Sequence, residues 1–237
     1  MTDSISKQTD IAAYIGRVLR DHFGKGPTSV HVTLEPPFLL MHVQGFLAPM
    51  EEILVQQKET QRVEETRHIL MERLRPEISR QIEQITGESV QEMYFDWNLH
   101  QRTGVLVGLL RAERSDARPL WPAHLDQQAF EQRIIEMSEW GQKIPAVTET
   151  FWLSDHLILI KRTGIFVQIE KELIEGGYTE VLQRVKRPME RRMVSQARLE
   201  AFLDRPILDT FLDWDFQGDK SLMVLALQPP HQNRKQM

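Results

Sequence analysis

Tyr94-Phe95-Asp96-Trp97-Asn98 is followed by the apolar run Gly104-Val105-Leu106-Val107-Gly108-Leu109-Leu110, and the arrangement occurs twice. The second occurrence is Phe211-Leu212-Asp213-Trp214-Asp215, followed by Leu222-Met223-Val224-Leu225-Ala226-Leu227. Asp213 and Trp214 stand 117 positions after Asp96 and Trp97, and no gap is needed from there to Leu110 and Leu227. Self-similarity at a fixed offset reads as two copies of one domain, the second diverged. A chain of 237 residues holds two such copies of about 110 residues each.

Upstream of this stretch, Ile11, Tyr14, Ile15, Val18, Leu19 and Phe23 recur at helical spacing. The reading makes residues 1–8 a frayed polar start, Asp10 the helix cap, and Gly24 the stop. Val30, Val32 and Leu34 then alternate with polar residues as a half-buried strand. Pro36-Pro37 makes the reversal, and Phe38 to Val43 returns as a second strand. With the turn centred between the prolines, Leu34 faces Leu39, Val32 faces Met41, and His31 faces His42. A helical region opens at Pro49, is nearly all polar from Gln56 to Arg62, resumes at Val63, Ile69, Leu70 and Leu74, and meets a kink or restart at Pro76. Ile78, Ile82 and Ile85 complete it before Gly87. Val90 to Trp97 and Gly104 to Leu110 are the last two strands, giving the order α-β-β-α-α-β-β.

The second copy follows the same plan. Phe130, Ile134 and Met137 match Ile11, Ile15 and Val18 at an offset of 119, and Gly164 falls at Gly45. The offset then drops to 117, which places a two-residue deletion in the later helices. Gly176-Gly177 is a break, and Val181, Leu182, Val185 and Met189 form the next helical stripe. The fold class is α+β: two tandem domains, each a small, mainly antiparallel four-stranded sheet packed against helices. The boundaries are 8–111 for the first domain, 112–127 for a linker, 128–228 for the second domain and 229–237 for a disordered tail. The fourth strand is apolar on both faces, so its second face is expected to pack against the other copy or, in a homo-oligomer, a second chain.

Composition narrows the function. A formal net charge of −5 argues against general nucleic-acid binding. The absence of cysteine excludes disulfides, thiolate catalysis and Cys-ligated metals. The start Met1-Thr2-Asp3-Ser4 lacks the pattern of a secretory signal, and no apolar run approaches the ~18 residues of a membrane span. The expectation is a cytoplasmic protein.

Four groups are candidates for chemistry. Asp96-Trp97-Asn98 at a strand end suits a polar or cationic ligand, whereas its recurrence as Asp213-Trp214-Asp215 favours a structural role. His31 and His42 form a weak metal candidate, since the second copy has Thr150 and Lys161 there and no third ligand is evident. Gly24-Lys25-Gly26-Pro27 follows a helix rather than a strand, which makes it a C-cap and turn rather than a phosphate cradle. Arg184, Lys186, Arg187, Arg191, Arg192 and Arg198 suit anionic lipid, nucleic acid or an acidic partner, but the interleaved Glu180, Glu190 and Glu200 favour a solvated, salt-bridged helix. No catalytic motif is readable, and no cofactor is implied.

The stretch from Ile11 to Leu110 resembles the MpsC-like family, small bacterial proteins associated by name with a sodium-translocating, membrane-potential-generating system. Gly24-Lys25-Gly26-Pro27, Val30 to Leu34, Gly45-Phe46-Leu47-Ala48-Pro49-Met50-Glu51 and Tyr94-Phe95-Asp96-Trp97-Asn98 carry the resemblance, in order along the domain. It implies an accessory protein that works with a membrane transport system from the cytoplasmic face, peripheral to the membrane and without a span of its own. Its partners would be membrane transport subunits, and its contact residues Gly45, Phe46, Pro49, Met50, Asp96, Trp97 and Asn98. The second copy lacks the Gly-Lys-Gly-Pro turn and any counterpart to Pro49-Met50, which leaves it a scaffold role. A small-molecule sensor and, further off, an enzyme with a dispersed site are the alternatives.

Overall fold

A computed structural model describes residues 2–111 and 121–229. The chain divides into two compact units, residues 1–116 and 117–237. The first unit runs α1 (Thr2–Phe23), β1 (Ser29–Glu35), β2 (Phe38–Gln44), α2 (Pro49–Gln56), α3 (Thr60–Thr86), β3 (Val90–Asn98) and β4 (Thr103–Leu110). The second runs α4 (Gln127–Glu139), β5 (Val147–Ser154), β6 (Leu157–Thr163), α5 (Gln168–Glu175), α6 (Thr179–Ala197), a 3-10 turn at Leu199–Phe202, β7 (Ile207–Asp215) and β8 (Lys220–Leu227). Both units follow the α-β-β-α-α-β-β order read from the sequence.

Each sheet is four-stranded and antiparallel, with the order β1-β2-β4-β3 in one unit and β5-β6-β8-β7 in the other. The first hairpin has the expected register, with Leu34 opposite Leu39 and His31 opposite His42. The two sheets share an irregularity: the β3–β4 pairing shifts between Val90 and Glu92, and the β7–β8 pairing between Ile207 and Asp209. These positions are 117 apart, the offset of the Asp-Trp stretches.

The core of the first unit lies between one sheet face and the helices. Met93, Phe95 and Trp97 of β3, Leu106 and Leu110 of β4, and Leu39, Met41 and Val43 of β2 meet Ile11, Ile15 and Leu19 of α1 and Met71, Ile78 and Ile82 of α3. The alternate residues Leu40, Val105 and Val107 are buried as well. This agrees with the two-faced apolarity of the strands.

Several expectations need correction. α1 starts at Thr2, not at Asp10. Its polar first turns lie on a side that needs no apolar cover, and Lys7 Nζ donates to the Thr86 carbonyl at the C-terminal end of α3 (3.4 Å), where a cation suits the helix dipole. The polar stretch after Gln56, which the sequence leaves open as exposed helix or break, is a break, closed by Lys58 at φ 65°. Gly177, 119 positions on, has φ 79° and does the same for the second unit. Pro76 does not restart the chain: α3 runs through it from Thr60 to Thr86, with the proline on an exposed position. Ile69, assigned to the apolar stripe, is exposed. α6 ends at Ala197, well short of the counterpart of α3's end, and the chain turns at Arg198 (φ 50°) into the 3-10 segment. Of the proposed linker, residues 112–120 lie outside the described residues. From Trp121 the chain is docked, with the Trp121 ring 5.2 Å from both Phe130 and Trp152. Of the proposed tail, residues 230–237 lie outside the described residues too.

Candidate functional site

The two motifs singled out in the first unit converge on one side chain that sequence reasoning missed. Gly45 turns the chain out of β2 at φ 65°, where an added Cβ would stand 2.5 Å from Thr28 Oγ1. This turn brings Phe46 under the sheet, so that its ring lies 4.8 Å from that of Trp97. Between them sits Arg67 of α3, fully buried. Its guanidinium carbon is 4.2 Å from the Phe46 ring centre, 4.5 Å from Phe23 and 4.9 Å from Trp97. Three aromatic faces around one buried cation make a strong cation–π arrangement.

Glu51 supplies the counter-charge. Its Oε2 accepts from Arg67 Nη2 at 2.7 Å and from the Ala48 backbone N–H at 2.9 Å. One carboxylate thus caps the start of α2 and ties α2 to α3. Arg67 Nε and Nη1 are buried without a hydrogen-bond partner, which leaves their N–H groups among the rings. Burial pulls the Arg67 pKa down, and the hydrogen bond and charge of Glu51 oppose that fall without cancelling it.

Trp97 leaves no room at its neighbour on β4. A Cβ on Gly104 would stand 2.2 Å from Trp97 Cε3 and 3.2 Å from Val43 Cγ2. Gly104→Ala is therefore expected to force Trp97 off its contacts and to cost about 2 kcal/mol, read by denaturant unfolding. Asp96 and Asn98 on either side bond to backbone. Asp96 Oδ1 accepts from the Trp97 N–H at 2.8 Å, and Asn98 Oδ1 accepts from Gln101 in the turn to β4 at 3.1 Å.

The second unit repeats the device with different chemistry. Glu170 Oε2 accepts from the Val167 N–H at 3.0 Å and Glu170 Oε1 from Lys186 Nζ at 2.6 Å. Glu170 and Lys186 stand 119 positions after Glu51 and Arg67. Around Lys186 the apolar residues of the first unit have become polar: Arg162 replaces Val43, Glu190 replaces Met71, Ser138 replaces Leu19 and Ser221 replaces Gly104. Glu190 and Arg162 are fully buried and form an ion pair through Arg162 Nη2. Arg162 Nε donates to Ser221 Oγ (2.9 Å) and Nη1 to Ser138 Oγ (3.0 Å). Glu190 also accepts from Trp214 Nε1 at 3.1 Å and lies 3.5 Å from Lys186 Nζ. Burial alone would raise the Glu190 carboxyl, but the Arg162 and Lys186 charges and the bonds from Arg162 and Trp214 hold it below its usual range.

A second exchange sits at the rim. Glu52 lies 3.4 Å from Arg102 in the first unit, and Lys171 lies 3.2 Å from Asp219 at the matching positions of the second. The signs have swapped together. Asp219 also holds the backbone, since its Oδ1 accepts from the Ile165 and Phe166 N–H groups, each at 2.8 Å. Asp219→Ala is expected to cost about 2 kcal/mol in thermal or denaturant unfolding, because two backbone donors lose a charged acceptor.

These positions sort the residues read from the sequence. Phe46, Asp96 and Trp97 are buried, Gly45 and Asn98 are half-buried, and Pro49 and Met50 are exposed. Gln168-Ile169 takes the place of Pro49-Met50, so the helix persists in the second unit although the residue pair does not. His42 is buried opposite the exposed His31, and among the described residues no group of three or more His, Cys, Asp or Glu gathers to hold a metal. The Gly24-Lys25-Gly26-Pro27 turn is a helix C-cap with Gly24 at φ 78°. Lys186, assigned to a solvated basic helix, is buried, as is Glu190. Their phase with Leu182, Met193 and Ala197 was the available signal. The arrangement clamps helices with enclosed ions; it does not present a nucleophile with its base to solvent.

Residues 4–112 match the family model of MpsC, described as a Na+-translocating membrane potential-generating system. The match covers the first unit, and the family recognised from its motifs is thereby borne out there. Comparison with curated proteins finds no match, and comparison with solved structures finds none. No helix among the described residues is long and apolar enough to cross a membrane.

Proposed function

We propose that this chain is a non-catalytic accessory protein of a membrane cation or membrane-potential-generating transport system, acting by protein–protein contact from the cytoplasmic face. The family match over the first unit carries this reading. The surface it favours is α2, which begins in the family motif and has no buried residue. Met50 is 76% exposed and Ile53, one turn on, 54%. Two large apolar side chains held outward on a helix that is clamped from behind by Glu51 suit a partner contact.

The test is affinity purification of the tagged chain from its native cells in mild detergent, with the co-purified proteins identified. Polytopic transport subunits are expected with the parent chain and lost with Met50→Glu/Ile53→Glu, at unchanged melting temperature. Recovery of the chain alone, or equal recovery by the variant, would overturn the reading.

A second reading is small-molecule binding. It draws on a cavity of about 410 Å³ at the first turn of α4 and the edge strand β5, lined among others by Gln127, Glu131, Thr148, Glu149, Thr150 and Phe151. Its polar lining, in which Glu131 already accepts from Thr150 Oγ1 at 2.7 Å and Glu149 lies 3.8 Å from Lys161, suits a hydroxyl-rich ligand, and a ligand-dependent rise in melting temperature that Glu131→Gln abolishes is the expected sign.

A further inference from the structure

The chain holds ten methionines and no cysteine, so thioether sulfur is the only reduced sulfur it offers to an oxidant. Most of that sulfur is enclosed. Met41, Met71, Met137 and Met223 are fully buried, Met93 and Met193 nearly so, and Met189 is half-buried against the second core. Among the described residues Met50 is the one exposed methionine, at 76%. It stands at the second position of α2, within the stretch that matches the family model. The local structure does not depend on its sulfur: the Ala48 N–H is taken by Glu51, Glu51 by Arg67, and Glu52 pairs with Arg102. The second unit has Ile169 at this place, 66% exposed. Val181 and Val185, read from the sequence as part of the α6 stripe, also face outward. These are hydrocarbon side chains, which peroxide leaves unchanged. A sulfur held in solvent is thus a feature of the unit that the family model matches.

We propose that Met50 is a site of reversible oxidation by peroxide, and that its sulfoxide releases the contact made by α2. This rests on the partner contact proposed above and adds the chemistry that regulates it. A lone pair of the thioether sulfur attacks one oxygen of hydrogen peroxide, and the O–O bond breaks as the S–O bond forms. The hydroxide that leaves takes up the proton released by the transferred oxygen and becomes water. Sulfur is oxidised by two electrons and the peroxide is reduced by two. The rate follows access to sulfur, which sets Met50 apart from the enclosed methionines. The product carries a strong acceptor oxygen on what was an apolar side chain. Beside Ile53 on the outer side of α2, that oxygen loses its water in an apolar contact and gains no donor, so the contact weakens by the cost of desolvation. Exposure also leaves the sulfoxide open to the reductases that restore the thioether.

The experiment treats the full chain with dilute hydrogen peroxide and follows each methionine by peptide mapping, which also separates Met1 and Met237. Met50 is expected to gain one oxygen at least ~10-fold faster than the buried methionines. The melting temperature should not change, and methionine sulfoxide reductases should remove the oxygen. The tagged chain, with Met50 as thioether or as sulfoxide, then serves as bait in detergent extracts of its native cells. Recovery of transport subunits is expected to fall about 10-fold with the sulfoxide and to return after reductase treatment. Met50→Leu should keep full recovery and be indifferent to peroxide. Equal oxidation rates at Met50 and Met41, or full recovery by the sulfoxide form, overturns the proposal. So does a loss of recovery in peroxide-treated Met50→Leu, which would place the sensitive group elsewhere. The two readings fail separately. Loss with Met50→Glu/Ile53→Glu but not with the sulfoxide leaves the α2 contact standing and removes its redox control. Recovery that neither change affects, or none by the parent chain, overturns both.

Discussion

Arg67→Ala should lower the stability of the first unit by about 4 kcal/mol, because it leaves the partly enclosed Glu51 carboxylate without its cation and opens a cavity between three aromatic rings. The enclosing groups are fixed: Phe46 and Trp97 are core residues, and Trp97 packs so closely on Gly104 that a Cβ there would stand 2.2 Å from its ring. Arg67→Lys should cost less, about 2 kcal/mol. The ammonium can still reach Glu51, as Lys186 reaches Glu170, but it loses the planar stacking of a guanidinium. Denaturant unfolding followed by tryptophan fluorescence checks both. Trp97 reports the first unit, while Trp121, Trp140, Trp152 and Trp214 report the second. A loss of under about 1 kcal/mol in Arg67→Ala would mean that the ring cluster collapses onto the gap and that the cation is dispensable.

Glu190→Gln should destabilise the second unit by about 3 kcal/mol. It keeps the shape of the side chain but leaves the buried Arg162 without its carboxylate and the buried Lys186 with Glu170 alone. The change also has a pH signature. The folded-state pKa of Glu190 lies below its ordinary value of 4.5. Its contribution to stability is therefore fully present above that value and is lost as pH falls through the lower, folded-state one. The parent chain should show this loss in acid unfolding followed through the second unit's tryptophans. Glu190→Gln, having no carboxyl to titrate, should lack that part of the pH dependence. An unchanged acid profile would show that the pair is not what the unit loses in acid. The first unit has Met71 at this position and should not show the effect.

Much of the architecture was legible because it depends on patterns with short periods. The alternation in Val30–Leu34 and the two prolines set a hairpin register that any slip would turn inside out. The recurrence of Asp-Trp at a constant offset located the second domain, down to a shared strand irregularity. Helix limits were less legible. Polar turns at the start of α1 and Pro76 within α3 are permitted wherever the backbone faces water, and sequence alone does not say which side that is.

The candidate site shows the same division. The motif Gly45 to Glu51 and the pair Asp96-Trp97 were visible, but the reason for their association was not. Arg67 and Glu51 are 16 positions apart on different helices, and Lys186 and Glu190 look like ordinary members of a charged run. A charge placed in phase with Leu182, Met193 and Ala197 is compatible with either a snorkelling side chain or an enclosed pair. Only the partners decide between them.

Sequence by itself thus determined the element order, the likeness of the two halves, the strand register and the family of the first unit, because each is carried by local periodicity or by ordered short motifs. The tertiary structure alone decided which charges are enclosed, that one unit closes its core with an arginine in aromatic rings and the other with a buried ionic network, and that Val181 and Val185 face outward. Burial of a charge depends on groups distant in the chain arriving at hydrogen-bonding distance, and no local pattern records that.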